Sequence, residues 1–147
     1  MEIRQANLKD IPQLSLIFDS YRVFYRKKPD VNSAKAFLGD RIMNKESIIY
    51  IVENDEGSCV GFVQLYPIFS STRMKKLWLL NDLYVYPDFR GQKISIQLID
   101  KAKELAVKSD SCGLILETEK TNMIGNNLYP KTGFVCNKDS NFYTWDV

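Results

Sequence analysis

The sequence predicts a mixed α/β domain in which two helices come first, an antiparallel meander follows, and a βαβ unit with C-terminal strands closes the chain. Three observations carry that prediction. Two stretches near the N-terminus repeat apolar residues at helical spacing. Three β-branched, apolar runs then succeed one another across short polar links. Last, a strand-like run turns into an amphipathic segment and back into a strand, an order that implies parallel pairing of the two strands. With no repeat, low-complexity segment or linker, residues 1–147 read as a single domain.

Each element has its own signal. Met1 to Ala6 supplies a short strand anchored by Ile3. Leu8, Ile11, Leu14, Ile17, Phe18, Tyr21, Phe24 and Tyr25 then mark one broad apolar face of a helix. Its start has two readings: Asn7 with Asp10 resembles a capping box, whereas Pro12 suits the first turn that a cap at Asp10 would give. The helix gives out at Arg26-Lys27-Lys28-Pro29. Asp30 or Asn32 caps a second helix reaching about Asn44, with Ala34, Phe37, Leu38 and Ile42 on its apolar side. Ser47 to Glu53 is a strand, Asn54 to Ser58 a hairpin turn, and Cys59 to Phe69 a second strand. Gly61 in that strand marks a bulge or a close approach. A polar loop, Ser70 to Lys76, leads to a third strand, Leu77 to Tyr86. Ile94, Leu98, Ile99, Ala102, Leu105 and Ala106 define a helix, and Leu114 to Thr118 the strand after it. A last helix from Asn122 to Lys131 stops at Gly133, and Phe134-Val135 with Phe142 to Val147 close the sheet.

Bulk properties exclude several functions. The 20 basic and 18 acidic side chains leave a net charge of +2, too balanced to argue for nucleic acid. The basic cluster Arg22, Arg26, Lys27 and Lys28 reads most simply as a solvated helix end. Histidine is absent, which removes histidine triads and histidine metal ligands, and no metal is expected. Cys59, Cys112 and Cys136 lack metal-like spacing and leave an odd thiol under any pairing, so reduced thiols in a cytoplasmic protein are expected. No apolar run approaches the ~20 residues of a membrane span.

Chemistry concentrates where the third strand meets the third helix. Arg90 supplies a permanent cation, Gly91 frees the backbone to turn, and Gln92 to Ser95 place N–H groups at a helix start. Such a turn can cradle a pyrophosphate, or it can be only a tight turn. The pattern Leu83-x-Val85-x-Pro87-x-x-Arg90-Gly91-x-x-Ile94, followed by Asn122-x-x-Gly125-x-x-Leu128-Tyr129-x-x-x-Gly133-Phe134, resembles the GNAT superfamily of acetyl-CoA-dependent N-acetyltransferases. The order of elements is similar along nearly the whole chain. Tyr21 to Tyr25 and Leu80-Asn81-Asp82-Leu83 resemble a subgroup of that superfamily.

The resemblance implies a GNAT-like fold and roles for individual residues. Leu83 and Val85 would offer backbone hydrogen bonds to the pantetheine arm and acetyl carbonyl. Arg90, Gly91, Gln92, Lys93, Ile94 and Ser95 would hold the CoA pyrophosphate, and Asn122 would sit beside the pantetheine or acetyl end. Tyr129 would protonate the leaving CoA thiolate; its other reading is a core aromatic with a satisfied hydroxyl. Where the family usually has two further small residues in the loop, this chain has Lys93 and Ser95. Lys93 puts a Cβ where backbone normally presses against phosphate, while its cation could still reach one.

Attack of an amine on a thioester needs positioning, polarisation of the carbonyl and a base for one proton. Asp82 is the first candidate base, although strand alternation puts it on the face of Tyr84 and not of Leu83 and Val85; holding a loop or a substrate's charge is the competing role. Glu117 on the adjoining strand is the runner-up. Tyr21, Tyr25, Phe24 and Asp30 are candidate contacts for a small amine, amino acid or peptide amine, with helix core as the alternative for the aromatics. A non-catalytic acyl-CoA-binding or partner-binding module is the rival function. Domains of this superfamily often pair, so a homodimer is an open expectation, whereas nucleic acid and membrane partners are not expected.

Overall fold

The computed structural model describes residues 1–147, and its elements follow the predicted order. They are β1 (Glu2–Gln5), α1 (Ile11–Phe24), α2 (Val31–Met43), β2 (Ile48–Glu53), β3 (Cys59–Ser70), β4 (Lys75–Val85), α3 (Ile94–Lys108), β5 (Leu114–Ile115) and α4 (Met123–Lys131). Two compact units contain them, Met1–Glu117 and Thr118–Val147.

The first unit is built on a five-stranded sheet in the order β1-β2-β3-β4-β5. The first four strands pair antiparallel, and β5 pairs parallel with β4 after the α3 crossover. Neighbours in β2 are buried alike, Ile51 at 1% and Val52 at 0% exposure, although they point to opposite faces. Both faces are therefore covered. Leu14, Ile17 and Phe18 of α1 and Ala34 and Leu38 of α2 cluster with Ile49, Ile51 and Phe62. On α3, Ile94, Leu98, Ile99, Ala102 and Ala106 form the buried stripe, at the spacing that places them on one side of a helix.

Local signals account for the boundaries. The capping-box reading of the first helix start is realised, whereas Asp10 stands at the N-cap position of α1 without a side-chain cap bond. Asn7 and Asp10 form a capping box on a 3-10 turn, Leu8–Asp10, and Pro12 then lies in the first turn of α1. Arg4 secures this corner, donating to Asp10 at 2.6 and 2.9 Å and to Glu53 at 2.7 and 2.9 Å. Asp30, not Asn32, caps α2 by accepting from the Ser33 N–H. Pro67 would interrupt a central strand, but it lies past the last β2 pair, Ile48 with Leu65.

Two bulges shape the sheet. Val52 pairs with Gly61 but Glu53 with Cys59, which leaves Val60 as the extra residue beside Gly61. The close approach expected at Gly61 is present as well, since a Cβ there would stand 3.3 Å from both Ile94 Cγ2 and Val85 Cγ2. The second bulge is in β4: Leu65 pairs with Leu80 and Gln64 with Asp82, so Asn81 is extra.

Three sequence expectations need correction. The loop expected from Ser70 to Lys76 is shorter, because the β3–β4 ladder runs out to Ser70 and Lys75. The strand expected over Leu114 to Thr118 is only Leu114–Ile115, so Glu117 lies beyond it and not on an adjoining strand. The C-terminal strands expected at Phe134-Val135 and Phe142 to Val147 do not form. In the link between them, Asn137 Nδ2 donates to Ser140 Oγ and the Asp139 N–H to Asn137 Oδ1, a local turn.

The second unit holds α4. Asn122 caps it by accepting from the Gly125 N–H at 3.1 Å, and Gly133, at φ 89°, follows its end. No helix of the protein is long and apolar enough to cross a membrane.

Candidate active site

The bulge at Asn81 decides what β4 presents. After it, the Tyr86 N–H bonds Val60 of β3 at 3.0 Å. By alternation, Tyr84 and Asp82 also turn their main-chain groups toward β3, while Val85 and Leu83 turn theirs to the opposite edge. On that edge β5 pairs only with Trp78 and Leu79. Leu83 and Val85 thus offer N–H and C=O groups along a strand edge that β5 has already left. One lone pair of the Val85 carbonyl accepts from Arg90 Nε at 3.0 Å.

The same strand runs through a 3-10 turn, Pro87–Phe89, into the loop before α3. Gly91 and Lys93 both take left-handed backbone conformations, at φ 79° and 62°. Lys93 is the residue preceding α3 and supplies no side-chain cap. The first main-chain bond of the helix comes from the Gln97 N–H to the Lys93 carbonyl. The N–H groups from Gly91 to Ile96 therefore have no main-chain acceptor, and they gather at the positive end of a 15-residue helix. Arg90 adds charge, but its side chain folds back: besides bonding Val85, its guanidinium lies 5.5 Å from the centre of the Tyr84 ring.

Asp82 is on the other face of the sheet, as alternation requires, and is 5% exposed. Its carboxylate accepts from Gln64 Nε2 at 2.7 Å and Asn81 Nδ2 at 3.0 Å, and Tyr21 adds a third hydrogen bond. Burial pushes the Asp82 carboxyl above the usual carboxylate range, against the downward pull of those three donors. Ser47 extends the chain by donating to Gln64 Oε1 at 2.9 Å. Gln64 was missed as a site residue from the sequence, although a lone amide in the apolar run Cys59 to Leu65 is a visible signal.

Around Asp82 the aromatics gather. Tyr21 packs edge-on against Tyr25 at 5.1 Å, Phe62 at 5.9 Å and Tyr84 at 6.2 Å between ring centres. Phe24 stands 6.2 Å from Tyr84 and is 45% exposed. Tyr21 and Tyr25 are thereby brought to Asp82's side of the sheet, joining core and surface. Asp30 has a structural occupation instead, capping α2 while its own N–H donates to the buried Asp19. Its carboxyl is held below the ordinary range by the hydrogen bond from Ser33. Arg22 of the basic cluster pairs with Asp19 at 2.6 Å.

In the second unit, Asn122 works from both ends of its amide, accepting from Gly125 and donating to Thr118 Oγ1 at 2.9 Å. A Cβ on Gly125 would lie 2.7 Å from Asn122 Nδ2 and 3.2 Å from Tyr129 Cε2. That glycine is what lets Asn122 and Tyr129 close on one another. Tyr129 is half-buried, with its ring 5.8 Å from Phe134.

Comparison with known proteins shows the family. The acetyltransferase (GNAT) family model matches residues 14–134. The uncharacterized N-acetyltransferase YhfO of Bacillus subtilis (strain 168) is 41% identical over 134 residues, covering 91% of this chain and 89% of that protein. A probable acetyltransferase of Haemophilus influenzae is 30% identical over 117 residues, 80% of each chain. The crystal structure of a probable acetyltransferase superposes with a TM-score of 0.94 at 34% identity, over 100% of this chain and 98% of the other.

Proposed function

The chain belongs to the acetyltransferase (GNAT) family, and from that premise we propose that it moves acetyl from acetyl-CoA to a primary amine by direct attack in a ternary complex. The observation that carries the reading is the continuous polar edge from Leu83 to Ile96. A strand edge with unused main-chain groups runs into a helix start whose N–H groups lack main-chain acceptors. An extended amide-bearing arm suits the first part and a pyrophosphate the second. Acetyl-CoA supplies an acetyl group already activated as a thioester.

The protein's own residues do the rest. Leu83 and Val85 orient the arm through main-chain hydrogen bonds, the second lone pair of Val85 being the one to use. The N–H groups of Gln92 to Ser95 and the Lys93 cation hold the phosphates. Arg90 fixes the Val85 carbonyl and brings positive charge to the turn. Asp82 takes the amine proton, directly or through water, and Tyr129 returns a proton to the departing thiolate. Asn122 steadies the reacting end, and Tyr21 and Tyr25 wall the acceptor's approach. The acceptor is a small amine, an amino acid or an exposed peptide amine, and the reaction is cytoplasmic.

Calorimetric titration with acetyl-CoA, followed by thiol-release assays over an amine panel, tests this. Binding with amine-dependent CoA release is the expected result. Absence of acetyl-CoA binding would sink the proposal. Binding without release from any amine would favour a non-catalytic acyl-CoA module, a reading that the non-glycine Lys93 in the phosphate turn keeps in play.

A further inference from the structure

Three polar side chains form a buried row inside the first unit. Ser47, just before β2, is 6% exposed, and Gln64 in the middle of β3 is 0% exposed. Asp82 on β4 completes the row. Buried amides and hydroxyls are costly unless every partner is met, and apolar residues of similar size could fill the same space. The chemistry fixes the direction of the row. An ionised carboxylate only accepts, so the amide must turn Nε2 toward Asp82 Oδ2, at 2.7 Å. Oε1 then faces Ser47, whose hydroxyl donates to it at 2.9 Å.

We propose that Ser47 is a positioning residue for Asp82: by donating to Gln64 Oε1 it holds the amide N–H on the carboxylate and keeps Asp82 ready to take a proton. The proposal rests on the reading of Asp82 as the base. The proton passes from the amine to Asp82, and Ser47 and Gln64 neither give nor take one. The other groups around the row are Asn81 on β4, Tyr21 on α1 and Tyr66 on β3. Tyr66 hydrogen-bonds Gln64; burial and the Asp82 charge raise its phenol, and Arg41 of α2 opposes them. Without the Ser47 hydroxyl, Oε1 is a buried acceptor that has lost its donor. The groups at hand to supply one are the Tyr66 hydroxyl and Asp82 in its protonated form. Turning the oxygen to either takes the N–H from the carboxylate, so loss of Ser47 raises the proton affinity of a group it does not touch.

The test is a carbon-13 carboxyl NMR titration of the full chain without ligand, the Asp82 signal being the one lost in Asp82→Asn. Ser47→Ala should move the Asp82 titration to higher pH, and Ser47→Thr, which restores a hydroxyl, should leave it near the parent's. Because Ser47 acts through the amide, Ser47→Ala/Gln64→Leu should titrate where Gln64→Leu does. A serine with only a structural role would leave the Asp82 titration in place in Ser47→Ala, or would add its own shift to that of Gln64→Leu. Either outcome overturns the proposal. In turnover, the acid limb of kcat/KM should move with the carboxyl titration, and a limb that stays in place overturns it as well. The titration needs no acetyl-CoA. Shifts of the expected kind in a protein that transfers no acetyl would uphold the hold of Ser47 on Asp82 and count against the proposed function instead.

Discussion

Asp82 is a carboxylate kept dry and kept hydrogen-bonded, and those two influences oppose each other. Burial raises its pKa, while Gln64, Tyr21 and Asn81 lower it. Replacing Gln64 with Leu removes one donor, so the acid limb of the kcat/KM profile should move to higher pH than in the unaltered enzyme. Asp82→Asn should lose that limb and reduce kcat by about 10²–10⁴, the usual worth of a positioned base. Stability carries a signature of its own. Because the folded-state pKa lies above the unfolded one, the native protein binds the proton more tightly, and stability falls as pH rises through the folded value. The stability of Asp82→Asn relative to the parent should therefore grow as pH rises above the ordinary carboxylate range in urea unfolding; a constant difference contradicts a raised Asp82. Lys93 makes a second residue-scale case. A left-handed conformation costs a side-chain-bearing residue ~1–2 kcal/mol, part of which glycine loses again through unfolded-chain entropy. Lys93→Gly should then gain ~0.5–1 kcal/mol, or about 1–4 °C in Tm by calorimetry. Lys93→Ala keeps the strain and discards the cation, so weaker acetyl-CoA binding without the stability gain separates charge from backbone.

Elements here hold functional groups by way of their ends. α4 begins at the amide of Asn122, and Gly125 is the space that the amide occupies. Gly125→Ala would drive a methyl into Asn122 Nδ2 and against the Tyr129 ring, so the cap must swing away. The expected cost is about 1 kcal/mol, that of a lost N-cap, together with reduced kcat as Asn122 and Tyr129 separate. Gly39 is in a helix too, but nothing lies within 4 Å of a Cβ there, so Gly39→Ala is the control and should be neutral or stabilising in thermal unfolding. A Gly125→Ala protein as stable and as active as its parent would contradict this account of the motif. Element ends of this kind were legible in the sequence because they depend on neighbours: the capping box of Asn7 and Asp10, a cap at Asp30 or Asn32, and the stop at Gly133 were readable. The bulge at Asn81 was not. It is set by the register of two strands that are distant in sequence, and no local pattern records it.

For the molecule as a whole, what was readable follows how far each interaction reaches along the chain. The helices, meander and crossover were legible from periodicity, because both faces of the sheet must be covered and the chain shows which residues cover them. The fate of residues 134–147 was not, since Phe142 to Val147 has strand composition but composition does not name a partner. The turn proposed to hold phosphate was legible as Arg90-Gly91, and its energetic character was not, because whether an N–H has an acceptor depends on the folded helix start. That distinction gives a global prediction. A ligand that binds only the native state raises stability by RT ln(1 + [L]/Kd), about 2.7 kcal/mol at a hundredfold excess over Kd, so acetyl-CoA should raise Tm in proportion to the logarithm of its concentration. Hydrogen exchange should show where that stabilisation originates. The amides from Gly91 to Ile96, which lack main-chain acceptors, should slow markedly, as should Leu83 and Val85 on the open edge of β4. The β2–β3 ladder, already bonded throughout, should change only by the global increment. Slowing confined to the β2–β3 ladder, with no change at Gly91 to Ile96, would place the ligand elsewhere and remove the edge from the mechanism.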